Sequence, residues 1–224
     1  MKAKNSRIVV FTNIKGGTGK TQLCASSATH FLSHGVPVIV IDADIQQSLS
    51  RHRQRDLAAR PSADTPWDCV FLNTIDYTGV EELIERAQQL PCCVLIDCPG
   101  NINDPSLKLI FEAADVAVVP FELNADSVDA TVLFAKLFKQ YFRATMFFIP
   151  NKVSSLFWKR GEVRKAREDA MELLDKKLGT VTPDIKLSTH MNSYSTLDLL
   201  TYEKRKVIKE ALVPILRPIW KLFN

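Results

Sequence analysis

Two lysines flank a glycine-rich segment near the start of the sequence. The segment KGGTGKT, residues 15–21, follows the apolar run RIVVFTNI and opens a stretch with helical periodicity. Glycines let backbone N–H groups curl around phosphate oxygens, and the N-terminus of the following helix adds partial positive charge. In such a loop Lys20 reaches the β- and γ-phosphates of a nucleotide, and the hydroxyl of Thr21 binds Mg²⁺. These residue types therefore predict binding of a nucleoside triphosphate.

The segment departs from the usual phosphate-loop pattern, G-x-x-x-x-G-K-[ST], at its first position. Ile14 stands where that glycine is expected, and Lys15 adds a second lysine ahead of the glycines. KGGTGKT resembles the deviant Walker A motif of the ParA/MinD superfamily of ATPases, which has a signature lysine at the position of Lys15. The resemblance implies that Lys15 contacts the phosphates bound by the other subunit of an ATP-sandwich dimer. A cation supplied in this way neutralises charge that develops during γ-phosphoryl transfer.

The same resemblance implies a set of residues that contact ATP. The set is Lys15, Gly16, Gly17, Thr18, Gly19, Lys20, Thr21, Gln22 and Asn151. Asn151 ends the run FFIPN, where the superfamily places an asparagine that hydrogen-bonds adenine. An amide both donates and accepts, which suits the N6 and N7 edge of that base. Taken without the resemblance, an asparagine after a strand is typical of a turn.

Three aspartates follow apolar runs and are candidates for the metal site and the reaction. Asp42 and Asp44, in VIVIDADIQQS, alternate along an extended chain, so we expect both side chains on one face. Asp97 ends the run CVLID. The resemblance implies that Asp44 orients or activates the attacking water, and that Thr21, Asp42 and Asp97 hold Mg²⁺. The catalytic residues that it implies are Lys15, Lys20 and Asp44.

Apolar runs alternate with helical segments along the first two thirds of the sequence. The runs are RIVVFTNI, VPVIVIDAD, DCVFLN, CCVLIDCPG, VAVVPF and ATMFFIPN. Several are apolar on consecutive positions, as in parallel strands that are covered on both faces. Helical periodicity lies between them, for example in GVEELIERAQQL. The sequence therefore predicts an α/β fold, a doubly wound and mostly parallel sheet with helices on both faces, as in P-loop NTPases.

Length and composition favour one domain over residues 1–224. We expect a nucleotide-binding core at 7–151 and a basic, helical C-terminal region at 152–224. The chain is 46% hydrophobic and 24% charged, which is typical of globular proteins. It has no apolar run long enough to span a membrane and no secretory signal before the first strand. These features predict a cytoplasmic protein, which the resemblance would associate with the nucleoid.

Positive charge is concentrated in the C-terminal part of the sequence. Residues 136–224 contain 18 lysines and arginines against 9 acidic residues. A stripe of such cations on one helix face favours binding to DNA phosphates without reading bases. An ordinary solvated surface is the alternative. The candidate DNA contacts are Lys159, Arg160, Arg164, Lys165, Arg167, Lys204 and Arg205.

The resemblance leaves two principal functions open. A ParA-type protein forms an ATP-dependent homodimer, binds DNA nonspecifically and segregates or positions plasmid DNA, chromosomal DNA or another cargo. A ParB-like or other adaptor then stimulates hydrolysis. A MinD-like protein would instead bind membrane through an amphipathic tail, here VIKEALVPILRPIWKLFN. Pro214 and Pro218 interrupt helical hydrogen bonding in this tail, and packing against the sheet is the favoured interpretation.

An electron-transfer relative of the superfamily is a third alternative. It would need cysteines from each subunit to hold an iron–sulfur cluster. Cys98 directly follows Asp97, but the second switch, the segment that the resemblance places after the turn at Pro99-Gly100, contains no partner cysteine. The five cysteines are instead typical of reduced, mostly buried side chains.

Overall fold

A single parallel sheet organises the part of the chain that the structure describes. A computed structural model describes residues 6–101, 104–154, 161–191 and 193–223. The strand order is β3-β2-β4-β1-β5-β6-β7, and every neighbouring pair is parallel. The strands are β1 (Arg7–Phe11), β2 (Val38–Asp42), β3 (Asp68–Phe71), β4 (Cys93–Asp97), β5 (Val116–Phe121), β6 (Thr145–Pro150) and β7 (Thr180–Val181).

Helices connect the strands and cover both faces of the sheet. They are α1 (Lys20–Leu32), α2 (Ser48–Ala59), α3 (Tyr77–Gln89), α4 (Pro105–Ala113), α5 (Ala125–Tyr141), α6 (Gly161–Leu173) and α7 (Tyr202–Trp220). A π-helical turn at Leu174–Leu178 extends α6, and a 3₁₀ turn lies at Thr189–Met191. Side-chain caps begin several of the helices. In α3, for example, the carboxylate of Asp76 accepts a hydrogen bond from the backbone N–H of Gly79.

Consecutive residues of the central strand face two different cores. Ile8 and Val10 belong to one core, which α3, α4 and α5 cover, whereas Val9 and Phe11 belong to the other, which α1, α2 and α7 cover. Burial on both faces explains why the strand is apolar at consecutive positions. The predicted doubly wound fold is confirmed, and the sheet is parallel throughout its seven described strands.

The strand order reverses between β1 and β4. From β1 the chain continues to β2 on one side, whereas from β4 it continues to β5 on the other side. The connections that leave these two strands therefore diverge and open a crevice at their carboxyl ends. The glycine-rich loop follows β1, and Asp97 ends β4, so both lie at this crevice.

The C-terminal part of the chain differs from its predicted pattern in two respects. It adds β7 beside β6, a two-residue strand too short to produce a recognisable apolar run. In addition, α7 continues through Pro214 and Pro218. Its apolar side is buried in the core beneath α1, which compensates for the helical hydrogen bonds that the prolines remove. The buried residues are Ile208, Ala211, Leu212, Ile215, Leu216 and Ile219. The favoured packing of this tail is thus confirmed.

Candidate nucleotide-binding site

The loop between β1 and α1 depends on glycine at two positions. Gly17 and Gly19 have φ angles of 76° and 95°, in the left-handed region that favours glycine. Gly19 is the residue immediately before α1, and Lys20 begins the helix. A cavity of about 510 Å³ opens here. Its lining residues are Ile14, Gly16, Gly17, Gly19, Lys20, Thr21, Gln22, Asp44, Ser48, Gly100 and Tyr194.

The two lysines of the loop have different surroundings. Lys20 is half-buried, and its Nζ lies 3.4 Å from the carbonyl oxygen of Lys15. Burial lowers the pKa of Lys20, while the charges of Asp97 and Asp44 oppose this shift. The Lys15 side chain is exposed. The structure therefore directs one lysine into the site and leaves the other accessible at the surface.

A buried asparagine fixes the first turn of the loop. Asn13 is 1% exposed, and its Nδ2 donates to the Pro120 carbonyl at 3.0 Å and to Thr131 Oγ1 at 2.9 Å. Its Oδ1 accepts from the backbone N–H of Lys15 at 3.3 Å. Asn13 thus connects the loop to the end of β5 and to α5. The role of Asn13 was not predicted from the sequence, because Pro120 and Thr131 are more than 100 positions away.

The two aspartates after β2 have separate roles in the local geometry. Asp42 is fully buried, and its carboxylate accepts from the backbone N–H groups of Asp44 at 3.3 Å and Ser50 at 2.8 Å. Burial raises its pKa, and these hydrogen bonds oppose that effect. β2 ends at Asp42, so the strand alternation does not extend to Asp44. Asp44 lies in the following turn, lines the cavity and accepts from the N–H of Gln46 at 2.9 Å.

Asp97 is a buried carboxylate with unsatisfied oxygens. It is 1% exposed, and within the described residues neither of its oxygens has a hydrogen-bond partner. The Thr21 hydroxyl lies close to it, but outside hydrogen-bonding geometry. Burial raises the pKa of Asp97 to about 7, against opposing effects from Thr21 and Lys20. A buried, unpaired carboxylate is costly, so this site favours an additional cation.

The carboxylates fit a magnesium ion that is shared with a nucleotide. Across the described ranges, no group of three or more His, Cys, Asp or Glu side chains is arranged to hold a metal by itself. Mg²⁺ at phosphate sites commonly has only one or two protein ligands, and phosphate oxygens and water complete its shell. Thr21 and the orphaned Asp97 would supply those protein groups here. Asp42 is instead engaged with backbone amides.

Asn151 contacts the glycine-rich loop directly. Its Nδ2 donates to the Thr18 carbonyl at 2.8 Å, and its Oδ1 accepts from the backbone N–H of Lys152 at 2.9 Å. A Cβ atom on Gly19 would lie 2.4 Å from the Asn151 Nδ2. The amide is 4% exposed and therefore packs tightly against the back of the loop. Its predicted contact with adenine stays a prediction.

A tyrosine from the C-terminal part completes the cavity wall. Tyr194 stacks on His52 of α2, with ring centroids 4.1 Å apart, and its carbonyl lies 2.8 Å from the His52 Nε2. One turn further along α2, Asp56 accepts from the N–H and the hydroxyl of Thr196 at 2.8 and 2.7 Å. Gln22 also donates through Nε2 to the Met191 carbonyl. The segment around Tyr194 is therefore fastened to both α1 and α2.

A family model covers most of this architecture. The model for the CobQ/CobB/MinD/ParA nucleotide-binding domain matches residues 9–194. The chain belongs to this family. The predicted membership of the ParA/MinD superfamily is thus confirmed, and the match includes the loop, all three aspartates and Tyr194.

Solved structures of ParA/MinD proteins share the fold at low sequence identity. A putative plasmid partition protein from Borrelia burgdorferi B31 bound to AMPPNP has a TM-score of 0.72 and 17% identity, covering 96% of this chain and 100% of that one. Cyanothece apo McdA gives 0.66 and 16%, covering 98% and 100%. The MinC:MinD cell division protein complex of Aquifex aeolicus gives 0.69 and 19%, covering 96% of each chain.

One curated relative matches a shorter segment of this nucleotide-binding domain. ATPase GET3C from Arabidopsis thaliana is 43% identical over 58 residues. The match covers 26% of this chain and 15% of that relative. It therefore supports the family without extending to the function of the whole plant protein.

The candidate DNA contacts of this ParA/MinD-type chain lie in different environments. Lys165 on α6 is exposed. Lys204 is half-buried and donates to the Ser193 carbonyl at 2.8 Å, and the exposed Arg205 donates to the Leu200 carbonyl at 3.3 Å. Lys159 and Arg160 lie outside the described residues. Arg164 and Arg167 belong to α6, but their side chains are not among those described.

Cys98 does not have the surroundings of a cluster ligand in this family member. It is 1% exposed, and burial raises the pKa of its thiol well above the ordinary value. The nearby carboxylate of Asp97 acts in the same direction. A thiolate is the form that binds iron, so this environment opposes the electron-transfer alternative.

Proposed function

We propose that the chain is a Mg²⁺-dependent ATPase of ParA type. The observation that carries this proposal is the orphaned Asp97 carboxylate, which faces Thr21 beside a glycine loop that begins a helix. In the proposed site Lys20 binds the β- and γ-phosphates, and Thr21 and Asp97 hold Mg²⁺. Asp42 supports this arrangement through the turn that carries Asp44. The metal supplies charge neutralisation at the phosphates when it is bound.

The protein side of the reaction is assigned to Asp44 and the two lysines. Asp44 lines the cavity and is held by the N–H of Gln46, so its second oxygen is available to orient water. Lys20 approaches the same cavity from the start of α1. We propose that Lys15, which is exposed, contacts the phosphates of a second subunit. Asn151 is proposed to contact adenine from its position behind the loop.

We further propose that the ATP-bound homodimer binds DNA nonspecifically and segregates or positions DNA or another cargo. Hydrolysis stimulated by a ParB-like or other adaptor would release it. The basic excess of residues 136–224 and the exposed Lys165 and Arg205 support this function. We place the protein in the cytoplasm, associated with the nucleoid. Residues 7–151 are proposed as the core, and residues 152–224 as the basic region of the same domain.

The MinD-like alternative has less support. Within the described ranges, no helix combines the length and apolar character that a membrane crossing requires, but the MinD-like alternative needs only an amphipathic helix that lies on the membrane surface. The apolar side of α7 is buried in the core, and the exposed large hydrophobic residues of this helix, Tyr202 and Trp220, lie at its two ends. A membrane-bound helix would need that buried side to be available.

Binding and hydrolysis measurements test the ATPase directly. We expect the purified protein to bind ATP with Mg²⁺ and to release phosphate slowly, with no release in EDTA. Gel shifts with random-sequence DNA and co-sedimentation with anionic liposomes, both with a nonhydrolysable ATP analogue, separate the two functions. Salt-sensitive retardation of DNA supports the ParA-type proposal. Liposome pelleting without DNA retardation, or the absence of nucleotide binding, contradicts it.

A further inference from the structure

A lysine outside the glycine-rich loop donates a hydrogen bond to the backbone of the loop. Lys152 directly follows Asn151, and its Nζ donates to the Gly17 carbonyl at 2.5 Å. The Asn151 Nδ2 donates to the next carbonyl along the loop, that of Thr18, at 2.8 Å. Two consecutive residues after β6 therefore hold two consecutive carbonyls of the loop.

Strand order explains how these residues meet. β5 lies between β1 and β6 in the sheet, and all three strands are parallel. The residues that follow them therefore emerge at the same edge. Glu122 follows β5, and its Oε1 lies 3.0 Å from the Lys152 Nζ. The ion pair thus joins Lys152 to a residue 30 positions away, and the loop contact joins it to a residue 135 positions away.

Glu122 is itself held in place. Its Oε2 accepts from the Asn124 Nδ2 at 3.3 Å, and its backbone N–H donates to the Ser127 hydroxyl at 3.0 Å. Lys152 has a backbone φ of 55°, in the left-handed region that residues other than glycine rarely occupy. A backbone held in this region and a fixed carboxylate direct the ammonium group toward the loop.

The contact acts on the phosphate-facing side of the loop because peptide units are planar. In a trans peptide the carbonyl and the following N–H point in opposite directions. Fixing the Gly17 carbonyl toward Lys152 therefore turns the Thr18 N–H away from Lys152. Left-handed glycines give the loop several alternative peptide orientations, which such contacts exclude.

We propose that Lys152, paired with Glu122, is a positioning residue of the nucleotide site that fixes the Gly17–Thr18 peptide for phosphate binding. This inference rests on the proposed function, because it assigns Lys152 a role in the same site. Glu122 balances the charge of Lys152, so the lysine acts through the loop rather than as another phosphate ligand. Removing the Lys152 cation alone leaves the negative charge of Glu122 without a positive partner beside the loop, where it repels phosphate.

Equilibrium binding of a fluorescent, nonhydrolysable ATP analogue with Mg²⁺ tests the proposal. We expect Lys152→Met to raise the Kd about tenfold, the usual effect of losing a hydrogen bond from a charged donor. Lys152→Arg keeps a cationic donor and should stay within about threefold of wild type. The double variant Glu122→Gln/Lys152→Met should bind more tightly than Lys152→Met, because the unpaired carboxylate is gone.

Lys176→Met is the matched control. It breaks an exposed ion pair of similar length, 2.7 Å to Glu172, on the helical turn after α6. Exposed ion pairs contribute little to stability, so both single variants should melt close to wild type. If Lys152→Met does not fold, Lys152→Gln, which keeps a polar side chain but lacks the cation, should still weaken binding about threefold.

The outcomes distinguish this inference from the function on which it rests. Wild-type binding together with an unchanged Kd for Lys152→Met overturns the positioning role. Equal losses in Lys152→Met and Lys176→Met, or a loss that Lys152→Arg does not restore, also overturn it. Failure of the wild-type protein to bind any nucleotide contradicts the proposed function instead.

Discussion

Asp42 and Asp97 occupy paired positions at the carboxyl ends of neighbouring parallel strands. Both are buried, but their partners differ. Asp42 accepts two backbone N–H bonds from the turn that carries Asp44, whereas within the described residues Asp97 accepts none. The negative charge of Asp42 raises the pKa of Asp97, and this effect adds to the larger increase caused by burial. Asp42 therefore shapes the turn that carries Asp44, whereas Asp97 is the carboxylate that attracts a cation.

Asp97→Asn should have opposite effects on stability and activity. The substitution removes a buried charge without a partner, so we expect the free energy of unfolding without ligand to rise by about 1 kcal/mol at pH 8. ATP hydrolysis in Mg²⁺ should fall by about 10²-fold, because the metal loses a protein anchor. Chemical denaturation and phosphate release measure the two effects.

Asp64→Asn provides the control for this experiment. Asp64 is an exposed carboxylate in the connection before β3, so its substitution should change neither quantity. Hydrolysis in Asp97→Asn at the wild-type rate would contradict the proposed metal site.

Gly19→Ala should disrupt the loop through both its backbone and its neighbour. A Cβ at this position would meet the Asn151 Nδ2 at 2.4 Å, and the φ of 95° is strained for alanine. We expect a loss of about 1–3 kcal/mol in the free energy of unfolding. Gly16→Ala is the stability control, because a Cβ there has no atom within 4 Å. Equal stability of the two variants would contradict this prediction, because it would mean that neither the contact with Asn151 nor the backbone conformation of residue 19 excludes a Cβ atom.

Lys15→Ala should separate nucleotide binding from dimerisation. The Lys15 side chain is exposed, whereas Lys20 reaches into the cavity, so removing Lys15 should leave the Kd of the monomer for ATP within about threefold. Dimerisation with a nonhydrolysable analogue should be lost, because the cation contributed to the second site is missing. Size-exclusion chromatography with light scattering measures the mass.

Lys108→Ala, on the exposed face of α4, should dimerise like wild type. A Lys15→Ala protein that forms dimers as readily as Lys108→Ala would remove the basis for contact between subunits.

The sequence predicted those features that chemistry forces into a local pattern. A phosphate loop must join a strand to a helix within a few residues, so Lys20 and Thr21 could be located without a structure. Six strands were also predicted, because burial on both faces makes their sequences apolar.

The parts that were not predicted depend on contacts between distant segments. Asn13 reaches Thr131, and Lys152 reaches Gly17, across more than 100 positions. Tyr194 joins the cavity because contacts with α1 and α2 hold its segment there. The course of α7 through Pro214 depended likewise on burial rather than on helix propensity.

Arg205→Gln should weaken DNA binding evenly across sequences. Arg205 is exposed near the start of α7 and has a backbone carbonyl as its partner, so its charge is available to phosphates. If it contacts one phosphate in each subunit, the slope of log affinity against log salt should become less steep by about two. Gel shifts with two unrelated DNA sequences at several salt concentrations measure this slope. Lys139→Gln is the control, because Lys139 is exposed on α5, which covers the opposite face of the sheet from α7; an equal change there would contradict a specific role for Arg205.

His30 should contribute a loss of stability below neutral pH, which the raised pKa of the Asp97 carboxyl opposes. The side chain is 1% exposed, and among the described residues neither ring nitrogen has a hydrogen-bond partner. Burial, followed by the positive charges of His34, Arg205 and Lys209, lowers its pKa to about 4, whereas an unfolded histidine titrates near 6.5. At His30 the unfolded chain therefore binds more protons between these values, and the contribution of this residue to the free energy of unfolding falls as the pH drops from about 6.5 to about 4.

His30→Gln should remove this component of the pH dependence. Each unit of pKa difference corresponds to about 1.4 kcal/mol, so in this window the slope of the free energy of unfolding against pH should be more positive in wild type than in His30→Gln, by up to that amount per pH unit. Urea denaturation at several pH values measures both curves. His190→Gln, at an exposed position in the 3₁₀ turn, should keep the wild-type dependence. Parallel curves for wild type and His30→Gln would mean that His30 becomes protonated in the folded protein without penalty, which its burial against α7 opposes.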